Sequence, residues 1–113
     1  MELREAKIII PEATGIATIS HAEQFMLDAW GGFTATLTEG AWRDGAQRII
    51  REPSHVYTIA MPTTADSAVK LHQLAAIVAD IGKQNCVYIR YASGMVELVN
   101  AGARYPWAGK VEE

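Results

Sequence analysis

Apolar and polar positions divide the chain into a strand, a helix, two strands, a second helix and two closing strands. Ala6-Lys7-Ile8-Ile9-Ile10 is short and β-branched, and Pro11 removes a ladder donor where it ends, which predicts a first, central strand. Glu12 to Ile19 holds Gly15 and keeps no steady period, so it reads as a connecting loop. Ser20-His21-Ala22-Glu23 has the form of a capping box, and a helix is expected to start there. Ala22, Phe25, Met26, Ala29 and Trp30 then share one helical stripe, and Gly31-Gly32 supplies the left-handed stop.

Phe33 to Thr38 alternates, with Phe33, Ala35 and Leu37 on one face and three threonines on the other, the signature of a half-buried strand. Gly40 marks a bulge or bend, Asp44-Gly45 a turn, and Arg48 to Arg51 a short returning hairpin arm. Pro53 is expected to interrupt pairing before the next main strand, Val56 to Met61. A second helix opens at Pro62-Thr63-Thr64-Ala65-Asp66 with Thr63 as its cap. It carries Leu71, Leu74, Ala75, Val78 and Ile81 inward and stops at Gly82. Cys86 to Tyr91 and Met95 to Val99 form a closing hairpin across Ala92-Ser93-Gly94.

This order, β-α-β-β-α-β with an extra C-terminal hairpin strand, predicts an α+β fold. The expected form is a ferredoxin-like two-layer sandwich, an antiparallel sheet with both helices on one face. One domain spans residues 1–100. Residues 101–113 form a C-terminal tail, ordered only if Tyr105 and Trp107 dock.

Composition narrows the setting. A chain of 113 residues, 50% apolar and 20% charged, has a core large enough to need neither disulfides nor structural metal. Cys86 is the single cysteine and suits a reducing compartment, as a buried structural thiol. A net charge of −3 argues against a protein that grips nucleic acid through phosphates. The first seven residues mix both charge signs, unlike a signal peptide, and no apolar run is long enough to span a bilayer. A soluble, cytoplasmic protein is expected.

Phe33, Gly40, Trp42-Arg43-Asp44, Ile49, Arg51-Glu52, Ser54 and Val56 make up a spaced pattern, Gly-x-Trp-Arg-Asp, then Ile-x-Arg-Glu, then Ser-x-Val. It resembles the domain-of-unknown-function family numbered 3574, small bacterial and phage proteins. Gly31-Gly32-Phe33-Thr34 and Val96-Glu97-Leu98-Val99 also resemble short proteins of plasmids and phages. The likeness runs from Ile8 to Val99 and implies a fold and a mobile-genetic-element setting, with no catalytic residues to carry over. Gln47 stands where a glycine is expected after the turn, and His55 where a lysine is usual.

Trp42, Arg43, Asp44, Arg51, Glu52 and His55 form the candidate ligand-binding group, because a hairpin would set the two Arg-acid pairs side by side with guanidinium forks able to hold a carboxylate or phosphate. The plainer reading is an ion-pair latch worth at most about 1 kcal/mol per exposed pair. Trp42 reads as a wall of the core or of an interface, and His72 as a shoulder residue of the second helix. The histidines match no metal spacing, and neither a dinucleotide nor a phosphate-loop motif occurs, so no metal or cofactor is expected. Together these features favour a non-enzymatic binding or assembly module. It would form a homo-oligomer through its sheet face or the Trp42 hairpin and hold a small molecule between subunits. One alternative is a cofactor-free small-molecule enzyme of the dimeric α+β barrel type, using His55 with Arg43 or Arg51. A single-stranded nucleic-acid binder ranks last because of the acidic balance.

Overall fold

The structure, a computed structural model, describes residues 2–103 and Tyr105. Its elements are β1 (Arg4–Pro11), a 3-10 turn (Glu12–Thr14), α1 (Ile16–Trp30), β2 (Thr34–Arg43), β3 (Ile49–Met61), α2 (Ala65–Ile81), β4 (Cys86–Arg90) and β5 (Val96–Asn100). One sheet runs in the order β2-β3-β1-β4-β5, and every neighbouring pair is antiparallel. Each strand-helix-strand unit skips one place: β3 fills the gap between β1 and β2, and β1 the gap between β3 and β4. The fold is therefore α+β and compatible with a ferredoxin-like arrangement, with β5 added outside β4.

Strand alternation decides which face is dry. Ala6, Ile8 and Ile10 of β1, Tyr57, Ile59 and Met61 of β3, Val87 and Ile89 of β4 and Val99 of β5 are buried in one cluster with Ala22, Met26, Leu71, Leu74 and Val78 of the helices. Each of the large side chains contributes about 1.5–3 kcal/mol by leaving water. Both helices thus lie on one face. The other face carries Lys7, Ile9, Val56, Tyr88, Arg90, Val96 and Leu98, which are half-buried or exposed.

Several boundaries differ from the sequence reading. α1 begins one turn early, with Gly15 at its N-cap and no side-chain cap bond. Glu23, the acid of the expected capping box, instead accepts a hydrogen bond from the buried Tyr57 hydroxyl at 2.6 Å, so a tertiary contact outcompetes the local one. Gly40 makes no bulge, because β2 and β3 keep an unbroken register from Thr34↔Thr58 to Arg43↔Ile49. Pro53 does not interrupt β3. It lies one residue beyond the last β1 partner, Pro11↔Ser54, where a strand with one neighbour tolerates a missing donor.

The cap of α2 is Thr64 rather than Thr63, its hydroxyl accepting from the Ser67 amide at 3.2 Å. Ile81, at the end of the expected stripe, is exposed, whereas His72 is buried at 2% exposure and is no shoulder residue. Cys86 is half-buried. Of the tail aromatics, Tyr105 packs against His72 and Tyr91. Trp107 and the rest of residues 106–113 lie outside the described residues.

Candidate functional site

The six hairpin residues singled out in the sequence fall on different surfaces. Asp44 organises the turn: its Oδ1 accepts from the Ala46 and Arg48 amides at 2.8 and 3.0 Å, while Oδ2 pairs with the Arg48 guanidinium at 2.9 Å. Arg43 donates to the Gln47 carbonyl at 3.1 Å, and Gln47 adopts a left-handed φ of 64°. Arg51 pairs with Glu39 at 3.0 Å, both exposed. The latch exists, with Arg48 and Glu39 as the partners in place of an Arg43-Asp44-Arg51-Glu52 cluster.

Register places Arg43, Arg51 and His55 on the helix-side parity and Trp42 and Glu52 on the opposite one. Trp42 is 46% exposed and belongs to no core. Partial burial raises the Glu52 carboxyl above its usual range. His55 is half-buried, its ring stacked 6.2 Å from Tyr57. None of the six lines either of the two cavities described next.

A different group gathers at the far end of the molecule. Tyr91, just past β4, donates its hydroxyl to Oε1 of Glu97 on β5 at 2.5 Å. The other carboxylate oxygen of Glu97 lies 3.6 Å from Nε2 of His72 on α2, and that nitrogen has no hydrogen-bond partner among the described residues. Tyr105 stands edge-on to both His72 and Tyr91, with ring centres 5.5 and 6.2 Å away. Burial holds His72 below its ordinary value, only partly opposed by the Glu97 charge, so the imidazole is neutral at pH 7. Burial, and then the bond to Glu97, pushes the Tyr91 hydroxyl far above its ordinary value.

Two cavities open on either side of Tyr105. One, of about 350 Å³, lies between the end of β3, the start of α2 and the β4–β5 turn; Met61, Thr64, Ala68, Tyr91, Met95 and Tyr105 are among its walls. The second, of about 310 Å³, lies along α2, with His72, Gln73, Asp80 and Ala103 in its walls. The first is mostly apolar with two tyrosines among its walls, the combination that small-molecule sites use. Among the described residues no three His, Cys, Asp or Glu side chains converge as a metal site.

Glu97 is the residue that sequence reasoning passed over. It occupies the same parity as Val99 in an amphipathic strand, so a carboxylate was due to face the core and require partners there. Tyr91, one residue past β4, carries the same signal, in phase with Val87 and Ile89.

No protein-family model and no curated protein sequence matches the chain. Solved structures do. A phage SAM lyase in complex with S-methyl-5'-thioadenosine superposes with a TM-score of 0.67 at 15% identity, covering 91% of this chain and 93% of that one. A phage SAM lyase in the apo state gives 0.63 at 14% identity, covering 89% and 91%. At such identity the likeness is one of fold.

Proposed function

We propose that the chain is a small-molecule-binding module that works as a homo-oligomer, holding a ligand of nucleoside size in the cavity between the end of β3, the start of α2 and the β4–β5 turn. The observation that carries this reading is the cavity itself: about 350 Å³, with mostly apolar walls that include Tyr91, whose hydroxyl is held by Glu97. Its volume falls in the range of ligand sites, roughly 300–1,000 Å³. Support comes from the shared fold of a phage protein solved with S-methyl-5'-thioadenosine. Exposed Leu37, Trp42 and Ile49 on the hairpin support self-association. The resemblance to family 3574 and the phage source of the fold's neighbours fit the same mobile-genome setting, in which a cytoplasmic location is natural. No helix among the described residues is long and apolar enough to cross a membrane.

A second reading is an enzyme that cleaves a sulfonium substrate, favoured because the fold's neighbour is a SAM lyase. In such a step a base takes a proton from the carbon next to the breaking bond, that C–H pair forms a C=C bond, the C–S bonding pair goes to sulfur, and a cationic sulfonium becomes a neutral thioether and an alkene. An apolar cavity suits a reaction in which charge disperses. Tyr91 and Tyr105 are walls of this cavity while His55, Arg43 and Arg51 are not, which displaces the His55-with-arginine site from this reading.

The test is a melting-temperature screen against S-methyl-5'-thioadenosine, S-adenosylmethionine, ATP and a short single-stranded DNA, with chromatography of the S-adenosylmethionine sample. A ligand that binds only the folded state raises the midpoint. A shift with the nucleosides, lost in Met95→Trp, supports the cavity, and release of the thioether supports the lyase. A shift with DNA alone sinks both.

A further inference from the structure

The hairpin of β2 and β3 outruns the sheet. β1 accompanies β3 only as far as Pro11 opposite Ser54. β2 accompanies it for five more residue pairs, from Glu39↔Pro53 to Arg43↔Ile49. Over that stretch β3 has β2 as its sole neighbour in the sheet. Both faces of this arm are open: Trp42 on one is 46% exposed, Ile49 on the other 56%, and Leu37 at the root 64%. A two-stranded ribbon on its own is marginal in water, so an arm that presents large apolar side chains on two faces needs a surface to lie against.

Among the described residues the cavity beside Tyr91 opens to solvent, with Ala65 and Met95 exposed at its rim. Arm and cavity occupy opposite ends of β3, which begins at Ile49 and finishes at Met61. Thirteen residues of strand span about 40 Å, close to the 43 Å length of the whole molecule. The two apolar surfaces therefore never meet within one chain. Charge agrees with apolar match: Arg48 and Arg51 are neutralised inside the arm by Asp44 and Glu39. Arg43 reaches only the Gln47 carbonyl among the described residues. At the receiving end α2 opens with Asp66, an exposed carboxylate that Lys70 engages through one oxygen.

We infer that the β2–β3 arm of one copy seats its Trp42 face against the mouth of the Tyr91 cavity of another copy, with Trp42 covering its apolar walls and completing the small-molecule site from outside. Two different patches make this contact. It closes as a reciprocal exchange in a two-fold dimer or as a ring. The inference rests on the proposed ligand cavity being the surface to be closed, but its test reads the contact without ligand.

The experiment places a benzoylphenylalanine photocrosslinker at Trp42 (Trp42→p-benzoylphenylalanine) in an equal mixture of unlabelled and nitrogen-15-labelled chains, irradiates it and maps mixed-isotope adducts by mass spectrometry. Light scattering is run beside it on the unmodified protein. The expected result is adducts on peptides containing Met61–Ala65 or Tyr91–Met95, a molar mass at least twice that of the chain, and a return to single-chain mass in Trp42→Asp with an unchanged far-ultraviolet circular dichroism spectrum. Adducts confined to a second arm or to the Tyr88–Leu98 face, or a single-chain mass with no mixed-isotope adduct, overturn it. A mapped adduct with no nucleoside shift leaves this contact standing and removes the ligand reading. A shift with no adduct does the reverse.

Discussion

Tyr91 and Glu97, on the two arms of the closing hairpin, are joined by a 2.5 Å hydrogen bond, and Tyr91 is also a wall of the larger cavity. The same carboxylate lies near the neutral His72, and the pair ties the end of β4, β5 and α2 into one polar unit. Low local dielectric makes such a unit strong when complete and costly when one member is removed.

Tyr91→Phe keeps the ring and deletes that donor. Because Glu97 then loses its bond in a partly buried place, the variant is expected to unfold about 1–3 kcal/mol more easily. Glu97→Gln, which still accepts from Tyr91, is expected to lose less. Urea titration of the three proteins checks the ranking, and equal midpoints for Tyr91→Phe and wild type would remove the pair from the stability of the fold.

Gln47 sits in the turn with a φ of 64°, a conformation that costs a side chain strain and a glycine none. The left-handed region costs a non-glycine residue about 1 kcal/mol or more, against a loss of about 0.5–1 kcal/mol from glycine's freedom in the unfolded chain. Gln47→Gly is therefore expected to be neutral to slightly stabilising, a few tenths of a kcal/mol at most on these magnitudes. A marked loss in thermal denaturation would mean that the side chain holds the turn.

The element order was legible because each element announces itself locally: threonines alternate along β2, apolar residues recur every three to four along α2, and glycines follow both helices. What the sequence concealed depends on partners distant in the chain. Ser20 and Glu23 spell a capping box, yet Glu23 answers to Tyr57, 34 residues away. Trp42 reads from the sequence as a wall of the core or of an interface, and register excludes the core because β1 stops short of it. The hairpin's charged residues were conspicuous because they are close in sequence. Tyr91, Glu97 and His72 were not, since three elements must pack before they meet.

Gly82 closes α2 where the helix end presses on the turn after β1. A Cβ built there would lie 2.6 Å from the Val78 carbonyl oxygen and 2.9 Å from Thr14, which is itself buried and bonded to the Pro11 carbonyl. Gly82→Ala forces backbone or Thr14 to move, an overpacking cost of about 1–3 kcal/mol. Gly32→Ala, with nothing near its Cβ position, is the control and is expected to unfold like wild type in the same calorimetric scan.

His72 gives the protein a pH dependence whose sign follows from its surroundings. The ring is buried by α2 and the β4–β5 hairpin, with Glu97, Tyr91 and Tyr105 as the titratable groups facing it. Burial lowers its folded-state value from 6.5, and Glu97 offsets only part of this. The unfolded chain therefore binds a proton at a higher pH than the folded one. Stability is complete above pH 6.5 and falls as the pH drops below it, because protonation favours the unfolded state. His72→Gln removes the titration, so the gap between variant and wild type measured by urea unfolding is expected to shrink from pH 7.5 to pH 5.5. A gap that widens on acidification would mean that the imidazolium is held by Glu97 as an ion pair, and the polar unit would then be a charge pair rather than a carboxylate fixed by Tyr91.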